Sequence, residues 1–254
     1  MEAHSFLLSD RDMKINTCWL TTTLLLSSTA FAAPHWGYTG AEGPDHWASL
    51  TPEFAACSGH NQSPVDIKGT IKSALAPLAP HYQAGATTLI NNGHTLQLDY
   101  APGSQLTLDG HAFTLKQFHF HAPSENLIQG RHYPLEAHLV HASEQGELLV
   151  LAVMFEAGAA NPLLTEAWRQ LPKQVGTPVS LARPLDVRAL LPKGLDYYRF
   201  NGSLTTPPCS EGVRWLVLKH PVTASQAQID AFKALMHHPN NRPAQPLGAR
   251  TILE

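Results

Sequence analysis

The stretch Gln117-Phe118-His119-Phe120-His121 constrains the fold more than any other part of the chain. Successive side chains of an extended strand point to opposite faces, so His119 and His121 look one way while Phe118 and Phe120 look the other. A chain built on it needs a hydrophobic core on one side of a sheet and a cleft on the other. A second strand-like run, Glu136-Ala137-His138-Leu139-Val140, follows a turn-rich segment. Antiparallel pairing of the two would bring a third imidazole beside the first pair. Three neutral imidazoles leave one of zinc's four positions open, which is the pattern of catalytic rather than structural zinc sites.

Taken alone, His-x-His is a weak signal, because strand histidines commonly pack or hydrogen-bond and short His-rich tracts have several explanations. His132 and His141 compete with His138 for the third position. Strand parity favours His138, which shares a face with Glu136 and Val140, while His141 falls on the opposite face of a regular strand. Glu136 would then stand where it can orient a ligand imidazole.

Residues Ile15 to Ala32 are mainly apolar, Thr and Ser, preceded by Lys14 and closed by Ala30-Phe31-Ala32. This predicts a signal peptide over 1–32, with cleavage after Ala32. The acidic run before Met13 is unlike a signal start, so Met13 is the expected initiator. Cys18 lacks a lipoprotein context and would leave with the peptide. No later segment is long and apolar enough for a membrane helix, so the expected location is periplasmic or secreted.

Residues 33–254 then form a single domain, with no linker, internal repeat or run of like charge. A net charge of −3, from 17 basic and 20 acidic residues, argues against nucleic acid as a partner and leaves small molecules and proteins open. The sequence leaves monomer and homodimer both open. Two of the three cysteines, Cys57 and Cys209, remain after processing, and an even count in an exported chain predicts that they pair.

Short alternating runs predict strands at Thr95–Tyr100, Gln105–Leu108, Phe113–His121, Glu136–His141, Leu148–Phe155 and Val213–Leu218. Peripheral helices are predicted around Leu163-Leu164, Ala167-Trp168 and Leu171, and around Ile229, Phe232, Leu235 and Met236. Thr223 with Gln226 has capping-box spacing before the second.

With these elements placed, the chain resembles the α-class carbonic anhydrases, in their bacterial exported branch. The resemblance rests on His35-Trp36-Gly37-Tyr38, Asn61-Gln62-Ser63-Pro64-Val65-Asp66-Ile67, Asn91-Asn92-Gly93-His94, the His119/His121 strand and Glu136-Ala137-His138-Leu139-Val140-His141. Leu204-Thr205-Thr206-Pro207-Pro208 and Arg242-Pro243-Ala244-Gln245-Pro246 complete it. It implies a mainly β fold with peripheral short helices, built on one large, mostly antiparallel twisted sheet with zinc at the floor of a conical cleft. The implied activity is the reversible hydration of carbon dioxide to bicarbonate, with a zinc esterase or a zinc-binding protein as the alternatives. Inhibition by sulfonamides and small anions is implied with it.

The resemblance also implies residue roles. Zn2+ would sit on His119, His121 and His138, with Gln117 and Glu136 fixing ligand imidazoles. Thr205 would accept a hydrogen bond from the zinc-bound nucleophile and pass its own toward Glu125, with Thr206 beside it in the substrate loop. Val140, Val150, Leu204 and Trp215 would form the apolar wall that an uncharged substrate needs. His94 would shuttle protons, as a group titrating near neutrality can. Plain alternation instead puts His94 on the apolar face with Leu96 and Leu98, so this role requires Asn91-Asn92-Gly93 to bend the chain.

Overall fold

A computed structural model describes residues 35–172 and 174–254; the expected signal peptide, 1–32, and Cys18 lie outside the described residues. The strands in chain order are β1 (Asp66–Ile67), β2 (Ala86–Asn91), β3 (Leu96–Tyr100), β4 (Gln105–Leu108), β5 (His111–His121) and β6 (Leu127–Ile128). They continue with β7 (Leu135–Ala142), β8 (Leu148–Ala157), β9 (Val179–Leu185), β10 (Tyr197–Ser203), β11 (Glu211–Leu218) and β12 (Val222–Ala224). Helices are few: α1 (Trp47–Leu50), α2 (Pro162–Trp168), α3 (Gln226–Met236) and short 3-10 turns. None is long and apolar enough to cross a membrane among the described residues.

Ten strands form one sheet in the order β10-β11-β8-β7-β5-β3-β2-β9, with β12 beside β8 and β4 beside β5. Its pairings are antiparallel except those of β8 with β11 and β12. The anticipated strands are all present, several longer than their alternation signalled. By contrast β1, β2, β6, β9, β10 and β12 lie outside the runs read from the sequence; β10, Tyr-Tyr-Arg-Phe-Asn-Gly-Ser, lacks clean alternation.

The two faces of β5 do different work. Phe118 and Phe120 are fully buried, and Phe120 packs edge-on against Trp168 of α2 at 5.2 Å and Phe232 of α3 at 6.2 Å. Burying two such rings contributes roughly 3–6 kcal/mol and seats both helices on this face. The helices are joined through Gln228, whose amide accepts from Asn161 N and donates to Asn161 O, both at 2.9 Å.

The capping box of α3 is not the expected Thr223/Gln226 pair. Ser225 is the N-cap, accepting from Gln228 N at 3.2 Å, while Gln228 accepts from Ser225 N at 3.0 Å. The same four-residue spacing occurs twice in this stretch. Strand pairing decides between them, because Thr223 is held extended in β12 opposite Glu156 of β8 and leaves the helix to start two residues later.

Cys57 and Cys209 are bonded across 152 residues of sequence, packed with Trp47 and Phe54. Closing so long a loop stabilises the chain by up to ~5 kcal/mol in the chain-entropy treatment. Because the bridge anchors the loop carrying Thr205, the reduced protein is expected to unfold at markedly lower urea and to lose activity. Equal midpoints with and without reductant would contradict this.

Candidate metal centre and cleft

Register brings the histidines together. His119 on β5 lies directly opposite His138 on β7, and His121 lies opposite Glu136. One nitrogen of each of the three imidazoles lies within 4.8 Å of the others. Neither rival joins this cluster: parity turns His141 to the other face of β7, and His132 lies ahead of that strand. His141 faces away, with Nε2 2.7 Å from the Tyr82 hydroxyl, and His132 has Nδ1 2.7 Å from Ser124 O.

Two imidazoles are hydrogen-bonded at one nitrogen, and the third has a carboxylate oxygen beside one nitrogen outside hydrogen-bond geometry. His119 Nδ1 lies 2.8 Å from Gln117 Oε1, His121 Nδ1 lies 2.7 Å from the main-chain oxygen of Asn240, and His138 Nε2 lies 3.0 Å from Glu136 Oε1. Such partners fix tautomer and ring orientation and leave the other nitrogen for a metal. Glu136 is itself tied down, accepting from Glu125 N at 2.6 Å, Asn126 N at 3.0 Å and Asn126 Nδ2 at 2.8 Å.

The electrostatics suit a cation. Burial, reinforced by the neighbouring imidazoles, holds His119 and His138 well below the ordinary histidine range, and burial lowers His121 too. All three are therefore neutral and able to donate lone pairs. His121 Nε2 is a buried nitrogen with no hydrogen-bond partner among the described residues, an orphan that a metal would satisfy. A neutral, three-nitrogen set at this spacing fits zinc with an open position.

Beside the cup stands Glu125, fully buried on the segment between β5 and β6. Its Oε1 accepts from Arg242 N at 2.8 Å; Oε2 lies 3.5 Å from His121 Nε2 and makes no hydrogen bond. Burial pushes this carboxyl well above the ordinary range, against the pull of the Arg242 N–H and of the nearby Thr205 hydroxyl. Thr205 is 5% exposed.

An apolar row runs beside the histidine row. Reading across the sheet, His119, His138 and Ala152 are register partners; two residues along, Gln117, Val140, Val150 and Trp215 are register partners in turn. The period of two keeps both rows on one face. Trp215 stands edge-on to His138 at 4.9 Å, with its indole N–H donating to Ser203 O, and Leu204 packs against the same cluster.

The bend that His94 requires is present. Gly93 has φ 88°, a left-handed conformation suited to glycine, and Asn92 Oδ1 accepts from the N–H groups of both His94 and Thr95 at 2.9 Å. His94 therefore leaves the alternation before β3 begins. Its ring stacks on Trp36 at 3.6 Å and lines a cavity of about 130 Å³ with His119, His121 and Thr206. Burial, then the charges of His35 and His238, lower its pKa.

Some residues here escape sequence reasoning. Asn240 holds His121 through a main-chain oxygen 119 residues away, and that kind of contact has no side-chain signature. Asn126 braces Glu136 and lacked any motif.

Sheet and cup together define a mainly β protein with a catalytic-type three-histidine centre under an open cleft. The family model for eukaryotic-type carbonic anhydrase matches residues 42–254, and the chain belongs to that family. A carbonic anhydrase of Pectobacterium carotovorum is 52% identical over 235 residues, covering 92% of this chain and 96% of that protein. Among solved structures, the α-carbonic anhydrase of Thermovibrio ammonificans in complex with sulfanilamide superposes with a TM-score of 0.86 at 47% identity, covering 88% of this chain and 100% of the other. That of Photobacterium profundum superposes with a TM-score of 0.82 at 51% identity, covering 87% and 100%.

Proposed function

We propose that this chain is an exported enzyme that hydrates carbon dioxide reversibly to bicarbonate and a proton, with zinc on His119, His121 and His138. The observation that carries this reading is the adjacency of the two cross-strand rows, three inward imidazoles beside an apolar wall. Zinc held there would lower the pKa of a bound water to about 7, far below that of free water, and would so supply hydroxide at neutral pH.

The protein's own residues do the rest. Neutral ligands preserve the metal's charge, which an anionic set would reduce. Thr205 fixes the attacking oxygen by accepting its hydrogen bond and turns its own hydroxyl toward Glu125. Thr206, on the cleft wall, offers a second hydroxyl to substrate. Carbon dioxide, uncharged and weakly polar, rests against Val140, Val150, Leu204 and Trp215. His94 carries the released proton from cleft to solvent. Export accords with the Cys57–Cys209 bond. Because the Thermovibrio relative was solved with sulfanilamide, inhibition by sulfonamides is expected here.

Val140 tests the wall, since it is only partly buried and accepts a larger side chain without the strain of overpacking a core. Val140→Tyr is expected to keep one zinc per chain and to lose about 100-fold in kcat/KM for carbon dioxide, as the substrate is displaced from its line of attack. Parental kcat/KM in that variant would remove the wall from the mechanism. Faster turnover of an activated ester than of carbon dioxide would instead make the chain an esterase.

A further inference from the structure

Arg242 has so far served only as the source of one main-chain N–H, yet its side chain is 1% exposed. A buried guanidinium needs many acceptors to offset its desolvation. Nη1 donates to Gln62 Oε1 at 2.8 Å and to Ser63 O at 2.9 Å, and Nη2 donates to Cys57 O at 2.7 Å. The guanidinium carbon lies 5.4 Å over the Trp47 ring, and Nε alone has no partner. Among the described residues no carboxylate bonds this cation; its acceptors are two main-chain carbonyls and one amide.

What the clamp fixes is the short segment Asn240–Arg242. At one end Asn240 O takes the bond from His121 Nδ1, and Asn240 Oδ1 accepts from Ala122 N at 2.9 Å. At the other end Arg242 N donates to Glu125 Oε1. One segment thus orients a metal-site imidazole and the carboxylate that faces Thr205. The surface it is clamped to is rigid as well, because Cys57 is bonded to Cys209 and Gln62 Nε2 donates to Cys209 O at 3.1 Å.

We propose that Arg242 is a positioning residue: through its clamp on Cys57, Gln62 and Ser63 it sets Glu125, and through Glu125 the orientation of the Thr205 hydroxyl. The proposal rests on the role given above to Glu125. Lysine keeps the charge but presents a single ammonium and cannot span three acceptors in a fixed fork.

The test compares Arg242→Lys, Glu125→Gln and the double variant by stopped-flow carbon dioxide hydration at matched zinc content. Arg242→Lys is expected to lose 10- to 100-fold in kcat/KM, the range for residues that orient metal-site groups, with zinc still at one per chain. In the Glu125→Gln background the same change is expected to cost no more than about threefold, because the two residues act as a unit. A merely structural clamp would give the same fractional loss in both backgrounds, and that result overturns the proposal. So does parental kcat/KM for Arg242→Lys while Glu125→Gln is impaired. Parental activity in Glu125→Gln would overturn the role of Glu125 itself, a separate result. Should Arg242→Lys not fold, Gln62→Leu decides: it removes one clamp acceptor and is expected to lower kcat/KM about tenfold, the low end of the same range, at unchanged zinc, whereas parental kcat/KM overturns the proposal.

Discussion

His138→Ala is expected to lose most of its zinc and all but background hydration of carbon dioxide. The variant leaves two imidazoles on β5 and strands the Glu136 carboxylate without the ring it orients. Without the metal, the water that must attack keeps its ordinary, very weak acidity, so the hydroxide available at the site at neutral pH falls by roughly eight orders of magnitude. His132→Ala and His141→Ala provide the contrast. Both residues lie outside the cup, and both variants are expected to bind zinc as the parent does. His141→Ala should lose stability, by leaving the buried Tyr82 hydroxyl unpaired, at a cost of about 1–3 kcal/mol. Metal analysis of the three purified variants checks the assignment, and full activity in metal-free His138→Ala would refute it.

His94→Ala separates proton transfer from attack. The variant is expected to keep zinc and most of kcat/KM, which reports attack on carbon dioxide, and to lose about 100-fold in kcat in dilute buffer, the lower end of what general acid–base groups contribute. Added imidazole should restore turnover. The pH dependence carries a sign that can be checked: burial and the charges of His35 and His238 hold the neutral form of His94 to lower pH than the ordinary value of 6.5. The acid limb of the parental kcat in dilute buffer should therefore fall below 6.5 and be absent from the variant. An unchanged kcat in a non-shuttling buffer would take His94 out of the pathway.

What could be read from the sequence follows from what period-two patterning encodes. Alternation fixes which side chains share a face, so the choice of His138 over His141 was legible, as was the aromatic face of β5. Register is set by the paired strands together, so the rows from Gln117 to Trp215 emerge only once β7, β8 and β11 are aligned. The capping box failed for a related reason: local spacing allowed two solutions, and pairing of β12 with β8 selected one. Roles carried by main-chain atoms, such as Asn240 O on His121 or Arg242 N on Glu125, leave no mark in residue identity. The bend at Gly93 lay between these cases. Asn-Asn-Gly permits it, but only the side-chain bonds of Asn92 show where His94 is sent.

In the proposed centre three neutral imidazoles hold one zinc, which would make this chain a carbon dioxide hydratase. Stopped-flow hydration on protein of measured zinc content, before and after chelation and again after zinc is restored, tests it most directly. Activity in proportion to zinc, approaching zero at zero zinc and returning with one equivalent per chain, is the predicted result. Zinc bound at one equivalent with no hydration above the uncatalysed rate would contradict it.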